Sequence, residues 1–184
     1  MNKLALALAV TSALTLSTPA ASASLAPVET EEARVTATSA AAIARADMRD
    51  TFGNKKLKPG QYLWKEGRSG DEASRVVIGL SDQRAYVYAG NELIGVSTIS
   101  SGKETKPTPT GIFPIQEKKR HHRSIKYDNA PMPHMQRLDR WGIALHGGHL
   151  PGYPASHGCV RLPGKFAAKL FTLTDVGTPV LIGA

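Results

Sequence analysis

The stretch ALHGGHLPGYPASHGCVRLP, residues 144–163, brings together the residue types that acyl-transfer chemistry needs. It contains Cys159, the only cysteine of the chain, and three of the six histidines. A cysteine attacks a carbonyl carbon as the thiolate, but a free thiol has a pKa of about 8.5, so it needs a base nearby. His146 ends an apolar run that could hold its ring, and a turn at Gly158 could aim the N–H groups of Gly158 and Cys159 at an oxyanion. The stretch therefore predicts a cysteine-dependent acyltransferase with Cys159 as nucleophile and His146 as base.

Two other uses of the thiol stay open at this level. Together with His146, His149 and His157, the Cys159 thiolate would make a reasonable zinc set. A His-x-x-His pair outside a helix is not a common ligand spacing, however, and the two glycines between these rings leave them loosely oriented. The second alternative is a chemically inert thiol buried in the core. We expect acyl transfer and no bound metal.

The N-terminus predicts export. A cationic start at Lys3 precedes an apolar run from Leu4 to Leu16, and small residues end at Ala23, which is the layout of a secretory signal peptide over residues 1–23. The apolar run is shorter than the ~20 residues that span a bilayer. We therefore expect an exported protein of the periplasm or cell wall. One cysteine cannot form the intrachain disulfide that oxidising compartments favour, so Cys159 is inert or reactive rather than bridged.

Charge is unevenly spread along the chain. Residues 24–74 carry no net charge, whereas residues 75–184 carry a net charge of +7, and five basic side chains fall in KKRHHRSIK, residues 118–126. Outside the cytoplasm, nucleic acid is not an expected partner. The basic segment is therefore predicted either to face anionic envelope surfaces or to be an ordinary solvated loop.

The apolar pattern divides the exported chain in two. Residues 24–60 predict a flexible or loosely helical extension, because a helical face made mostly of alanine buries little surface. Residues 61–184 predict the folded domain, which is mainly β. Strands are expected at GQYLWKEG, RVVIGL, TPTGIFPI, WGIALHGG and TPVLIGA, and AYVYAGNELIGVSTIS predicts a hairpin that turns at Gly90-Asn91. One short helix is predicted after the cysteine, starting at Pro163.

Several ordered motifs resemble the L,D-transpeptidase catalytic domain family (YkuD-like). They are SHGCVRL, the upstream ALHGG, STISSGKETKPTPTGIFPI and a Q-x-x-Y-V-Y strand that starts at Gln83, and the resemblance covers about Arg75 to Ile182. It implies a β-sandwich or β-rich domain with the cysteine at the mouth of a cleft. It also implies an enzyme that acts on peptidoglycan stem peptides and needs no metal or organic cofactor. We expect a monomer.

The resemblance implies roles for individual residues. Cys159 falls on the family nucleophile and His146 on the proton acceptor, while Ser156, His157 and Gly158 shape and support the turn. The position of Arg161 implies a structural contact or a contact to a substrate carboxylate. The segment that starts at Lys118 lies where the family carries a lid or substrate wall, and its candidate residues are Tyr127, Met132, Met135 and Gln136.

The connection between the two central motifs is short. Only nine residues, 147–155, separate His146 from Ser156, which is fewer than is usual in the family. The shortening leaves open which groups orient His146, and it leaves His149 as an alternative base.

The implied reaction has two steps. Cys159 attacks the carbonyl at the L-centre of a donor tetrapeptide stem, expels D-alanine and forms a thioester, which an acceptor amine of a neighbouring stem then takes up as an L,D crosslink. Water could resolve the same acyl-enzyme, as in an L,D-carboxypeptidase, or a protein amine could, which would attach or release envelope proteins. A hypothesis of another class is a non-catalytic wall-binding or zinc-binding module, which the presence of both Cys159 and His146 disfavours.

Overall fold

The computed structural model describes residues 25–68, 70 and 72–184, so the predicted signal peptide lies outside the described residues. None of the helices formed by these residues has the length and apolarity that crossing a bilayer requires. In chain order the elements are α1 (Glu31–Phe52), β1 (Tyr62–Trp64), β2 (Arg75–Gly79), β3 (Arg84–Ala89), β4 (Glu92–Thr98), β5 (Gly111–Pro114), β6 (Glu117–Lys119), β7 (Met135–Arg137), β8 (Ala144–Gly147), β9 (Val160–Leu162), α2 (Gly164–Leu173) and β10 (Pro179–Gly183).

The strands form two sheets. The larger has the order β1-β4-β3-β2-β10-β5 and the smaller the order β6-β7-β8-β9. Neighbours are antiparallel except that β10 runs parallel to β2 and β8 parallel to β9. One core cluster joins the inner side of the larger sheet, the smaller sheet and α2, and its largest side chains include Ile78, Phe113, Leu145, Leu162, Phe166 and Leu170. The predicted mainly β fold, with a short helix after the cysteine, is confirmed.

Local sequence signals position most of these elements. Gly90 has a φ of 57°, the left-handed value that a two-residue hairpin loop needs, and it connects β3 to β4. Pro163 directly precedes α2, as its fixed φ favours. The apolar run that ends at His146 forms β8. The sequence does not predict β6 and β7, because each strand has three residues and most of their side chains are polar or charged.

The N-terminal extension differs from expectation, because α1 packs against the outer face of the larger sheet. Thr30 caps the helix by accepting a hydrogen bond from the Ala33 N–H at 3.3 Å. The Tyr88 hydroxyl of the sheet donates to Asp47 of the helix at 2.6 Å. The buried helical side chains are Ala33, Ala37, Ala41, Ala44 and Met48, and the sheet residues in the shared cluster are Val77, Tyr86, Tyr88, Leu93 and Val96.

Alanine on the helix and glycine on the sheet explain this close packing. A Cβ atom added to Gly183 would lie 2.4 Å from the Ala37 carbonyl oxygen. The two backbones therefore come close together because Gly183 has no side chain. Because the tyrosines and β-branched residues of the sheet supply the buried area, the helix does not need large side chains of its own. The prediction of a flexible or loosely helical extension over residues 24–60 is therefore wrong about α1, which is a regular helix packed against the sheet.

Candidate active site

A cleft of about 500 Å³ lies on the outer face of the smaller sheet. Side chains alternate along its strands, so Leu145 and Val160 point into the core while Ala144 and His146 line the cleft. Leu145 of β8 pairs with Val160 of β9, so residues 144 and 159 are adjacent across the two strands. The predicted nucleophile Cys159, directly before β9, therefore lies diagonally across from His146, and both side chains line the same cleft.

Cys159 is half-buried at the floor of the cleft. It packs against Met132, Met135 and Ala144, and its Sγ donates to the Gly142 carbonyl oxygen at 3.4 Å. Burial raises the pKa of the thiol, and a hydrogen bond from the Ala144 backbone opposes that rise. The resting form at neutral pH is therefore the thiol, which must lose its proton as it attacks.

The His146 ring is held in one orientation by its own strand. Its Nδ1 is 2.9 Å from the Gly147 carbonyl oxygen. A carbonyl oxygen only accepts, so Nδ1 carries the proton and Nε2 carries the free lone pair. Burial lowers the pKa of His146, and the positive charge of Arg161 adds to this effect. At neutral pH the imidazole is uncharged and able to accept a proton. The group that orients the ring is thus the carbonyl of Gly147, the first residue of the short 147–155 connection.

The turn before the cysteine is closed by Ser156, which is fully buried. Its Oγ donates to the Cys159 carbonyl oxygen and accepts from the Gly158 N–H at 3.1 Å. Gly158 has a φ of 113°, and an added Cβ would lie 2.6 Å from Ile143 Cδ1, so only glycine fits here. The Gly158 N–H is occupied within the turn. Of the two amides expected from the sequence, the Gly158 N–H is thus not free for an oxyanion, which leaves the Cys159 N–H as the candidate donor of this turn.

A preceding segment that the sequence did not assign to the site supports this turn. The Ser101 carbonyl oxygen accepts from the Ala155 and Ser156 N–H groups, both at 3.0 Å. Thr108, also buried, donates its hydroxyl proton to the Gly158 carbonyl oxygen at 2.8 Å. These contacts join residues about fifty positions apart, so spacing gave no signal for them. The TPTG motif that contains Thr108 was the available clue.

The wall over the cleft is a continuation of the β6–β7 hairpin. Backbone hydrogen bonds run from the His134 N–H to Arg120, from Met132 to His122 and from Ser124 to Ala130, at 2.8 to 3.0 Å. At the tip, Asp128 and Asn129 have φ values of 45° and 52°, and the Ala130 N–H donates to the Tyr127 carbonyl oxygen at 2.8 Å. Two successive left-handed residues form a tight hairpin turn. We call residues 120–134 the lid hairpin.

The other candidates from the sequence separate into two groups. Tyr127, His149, His157 and Arg161 line the cleft, whereas Gln136 faces away from it and accepts from the Thr174 hydroxyl at 2.7 Å. Met135 lines the cleft as a buried packing residue beneath the thiol. The described residues contain no group of three or more histidine, cysteine or carboxylate side chains that could hold a metal ion.

The basic segment at residues 118–126 does not form one exposed patch. Lys118 lies over the Phe171 ring, 4.7 Å from its centroid, and donates to the Thr174 carbonyl oxygen. Lys119 pairs with Glu117 at 2.6 Å, and Arg120 also lies over Phe171. Burial lowers the pKa of Lys118, as a half-buried ammonium requires. Part of this charge therefore packs against the domain.

Comparisons with known proteins identify the family and the fold. The family model of the L,D-transpeptidase catalytic domain (YkuD) matches residues 73–182. An L,D-transpeptidase from Mycobacterium smegmatis has a similar structure, with a TM-score of 0.56 and 22% identity over 59% of this chain and 58% of the other. Mycobacterium tuberculosis L,D-transpeptidase 3, in complex with a faropenem-derived adduct, has a TM-score of 0.54 and 22% identity over 59% of both chains.

An Enterococcus faecium L,D-transpeptidase is also similar, with a TM-score of 0.52 and 25% identity over 61% of this chain and 50% of the other. The chain thus spans less than two thirds of the length of each of these structures. No curated protein matches it.

Proposed function

The chain belongs to the L,D-transpeptidase catalytic domain family, and we propose that it is a peptidoglycan L,D-transpeptidase. One observation supports this most directly. A cleft lined by Cys159 also contains His146, whose Nδ1 is held by the Gly147 carbonyl oxygen so that Nε2 is the basic atom. A nucleophile and an oriented base in one cleft are the elements of nucleophilic acyl transfer.

In the first step, Cys159 Sγ attacks the carbonyl carbon at the L-centre of a donor tetrapeptide stem. His146 Nε2 takes the thiol proton as the S–C bond forms, and the carbonyl oxygen becomes an oxyanion that accepts from the Cys159 N–H. The C–N bond then breaks, and the proton on His146 passes to the leaving amine of D-alanine. The product is a thioester on Cys159.

In the second step, the amine of an acceptor stem attacks the thioester carbon. His146 takes a proton from this amine, the C–S bond breaks, and the sulfur leaves with that proton. An amide crosslink results and the thiol is restored. The raised pKa of Cys159 and the lowered pKa of His146 both favour the neutral pair at rest, so proton transfer accompanies attack.

The experiment is incubation of the protein without residues 1–23 with a disaccharide-tetrapeptide, followed by mass spectrometry. We expect dimers joined by an L,D bond and release of D-alanine. Tripeptide without dimer would favour the L,D-carboxypeptidase alternative. A stem peptide joined only to a protein amine would favour protein attachment. No product and no acyl-enzyme would leave a wall-binding module.

Faropenem provides a second probe, because a similar L,D-transpeptidase carries a faropenem-derived adduct. Wild-type protein should gain an adduct mass and Cys159→Ala should not. Equal labelling of the two proteins would contradict the assignment of Cys159. Stoichiometric zinc that is lost in Cys159→Ala would favour the zinc-binding alternative.

We also propose that the protein acts outside the cytoplasm as a monomer. The location is supported by the signal-peptide pattern at residues 1–23 and by a chemistry whose substrate is cell wall, whereas the monomeric state is an expectation from the family resemblance. N-terminal sequencing of protein recovered from the envelope should begin at Ser24. Light scattering should give the mass of one chain. An N-terminus at Met1 in cytoplasmic protein, or a dimer mass, would contradict these two proposals separately.

A further inference from the structure

Arg161 is built into the cleft beside the two reacting residues. It lies two residues after Cys159 on β9, and its backbone is fixed on one side by β8 and on the other by two hydrogen bonds with Ser100, both of 3.0 Å. A Cβ atom added to Gly148 would lie 3.2 Å from both Cγ and Cδ of Arg161. The aliphatic part of Arg161 therefore lies across Gly148, which makes room for it.

This packing corrects the interpretation of the two glycines after His146. They are not a flexible joint between histidines. A Cβ on Gly147 would lie 3.2 Å from Pro133, and the Gly148 N–H donates to the Leu162 carbonyl oxygen at 2.9 Å. Gly148 is consequently part of the support that presents the Arg161 guanidinium to the cleft.

The cleft has no counter-charge for this guanidinium. Its lining residues, within the part of the chain that the structure describes, include no aspartate or glutamate. Arg137 also lines the cleft, but it pairs with Glu117, whereas the ion pairs found among the described residues include none to Arg161. A cation without a carboxylate partner in a concave site favours an anionic ligand.

Two lysines lie beside the same turn. The Lys103 N–H donates to the Ser156 carbonyl oxygen at 3.0 Å, and the Lys106 N–H donates to the Lys103 carbonyl oxygen at 2.8 Å. Lys103, Arg161 and Lys106 all act on His157, where burial and then these positive charges lower its pKa. Lys103 and Lys106 are exposed, as is Glu104 between them. The lysines therefore add a solvated positive field, and the half-buried Arg161 provides the directed contact.

The position of Arg161 relative to His146 indicates which carboxylate it meets. The two residues are direct partners in the β8–β9 register, and adjacent strands lie about 4.8 Å apart. In the proposed reaction His146 gives its proton to the leaving amine of the donor. In an amino acid, that amine and the carboxylate are attached to the same carbon atom. When the leaving amine is at His146, the carboxylate of the same amino acid would thus lie close to Arg161, the strand partner of His146.

We propose that Arg161, with Lys103 and Lys106 at the rim, binds the free carboxylate of the donor's terminal D-amino acid. This inference rests on the proposed function and assigns the residue that selects a donor ending in a free acid. Arginine suits this role because its planar guanidinium can bind both carboxylate oxygens at once. Donors whose terminal carboxylate is blocked should be poor substrates.

The test compares a tetrapeptide donor ending in D-alanine with the same donor ending in D-alaninamide. In wild type, kcat/KM for thioester formation should be roughly 10-fold to 100-fold higher for the acid, the range for a charge-assisted hydrogen bond. In Arg161→Gln that preference should fall to about 1, and in Arg161→Lys it should be partly kept. Lys165→Gln, which removes one charge from an exposed position of α2, is the matched control and should keep the full preference.

Binding gives a second readout that needs no turnover. In Cys159→Ala, titration with the two peptides should show tighter Kd for the acid, and adding Arg161→Gln should remove the difference. A preference that survives Arg161→Gln, or a wild type that treats both donors alike, overturns the proposal. If no thioester forms with either donor, the proposed function fails, and the binding ratio still decides the carboxylate site.

A different outcome would show Arg161 acting through the base. The charge of Arg161 contributes to the low pKa of His146. Arg161→Gln would then shift the acid limb of the pH profile to higher pH and change kcat equally for both donors. Equal effects on acid and amide would overturn the carboxylate site. Thermal unfolding of each variant separates these results from loss of the fold.

Discussion

Tyr127 stacks on His157 across the mouth of the cleft, with ring centroids 4.4 Å apart and ring planes 15° apart. Tyr127 belongs to the tip of the lid hairpin, and His157 lies two residues before the nucleophile. The contact therefore joins the lid to the turn that positions Cys159. Stacked aromatic pairs of this kind contribute about 0.5–1.5 kcal/mol, enough to favour the closed arrangement without locking it.

Removing the Tyr127 ring should release the lid. We expect Tyr127→Ala to raise KM for a stem-peptide donor about 3-fold to 10-fold, because a contact of about 1 kcal/mol no longer orders the wall. Tyr127→Phe keeps the ring and should behave like wild type. Hydrogen exchange at residues 120–134 should increase in the alanine variant alone. Unchanged exchange in Tyr127→Ala would show that the stack does not hold the lid.

The histidine assignments can be separated by paired substitutions. His146→Ala should slow acylation by faropenem roughly 10²-fold or more, because it removes a positioned general base. His149→Ala should have a small effect, since His149 is exposed at the cleft rim and no hydrogen bond to its ring is found among the described residues. Mass spectrometry of samples quenched at successive times would measure both acylation rates. A larger loss in His149→Ala would mean that the short 147–155 connection supplies the base.

The pH dependence follows from the two buried groups. The pKa of His146 is lowered, so its basic form persists to lower pH, and the acid limb of kcat/KM should lie below about 6.5. Activity is lost as the pH falls through that lowered value. The pKa of Cys159 is raised, so iodoacetamide alkylation should be slow at pH 7 and increase above the ordinary thiol value. Rapid alkylation that is flat near neutral pH would instead indicate a preformed thiolate–imidazolium pair.

The packing of α1 against the larger sheet should be disrupted by a single added methyl group. In Gly183→Ala the new Cβ would meet the Ala37 carbonyl oxygen at 2.4 Å. Overpacking of this kind costs about 1–3 kcal/mol, so Tm should fall by several degrees. Gly164→Ala is the control, because a Cβ there meets nothing within 4 Å and alanine favours a helix. Equal Tm values for the two variants would contradict the close contact.

The basic side chains of residues 118–120 can be tested for binding to anionic surfaces and for packing against the domain. The triple change Lys118→Gln, Lys119→Gln and Arg120→Gln should weaken sedimentation with wall sacculi at low salt, and added salt should remove the difference. It should also lower Tm, because Lys118 and Arg120 pack on Phe171. Lys119→Gln alone should weaken sedimentation slightly and leave Tm unchanged. Normal sedimentation of the triple variant would discard the interaction with anionic surfaces.

Local patterns predicted the elements that local physics determines. The glycine at position 90, the proline before α2 and the apolar run into His146 each act within a few residues, and the structure follows them. The docking of α1 was not predictable, because an alanine face is weakly apolar and its fit depends on Gly183 far along the chain. The use of the Gly158 N–H by Ser156 likewise depends on a side-chain rotamer that no spacing records.

The position of β10 has a consequence for the order in which the molecule can be assembled. This strand lies between β2 and β5, parallel to one and antiparallel to the other, so it joins two parts of the larger sheet that have no other ladder between them. A chain emerging from a ribosome or a translocation pore can form the β2–β3–β4 meander early, but its sheet remains split until residues 179–183 arrive. Pairing between such distant segments closes slowly. The larger sheet is therefore completed only when residues 179–183 have paired with both β2 and β5.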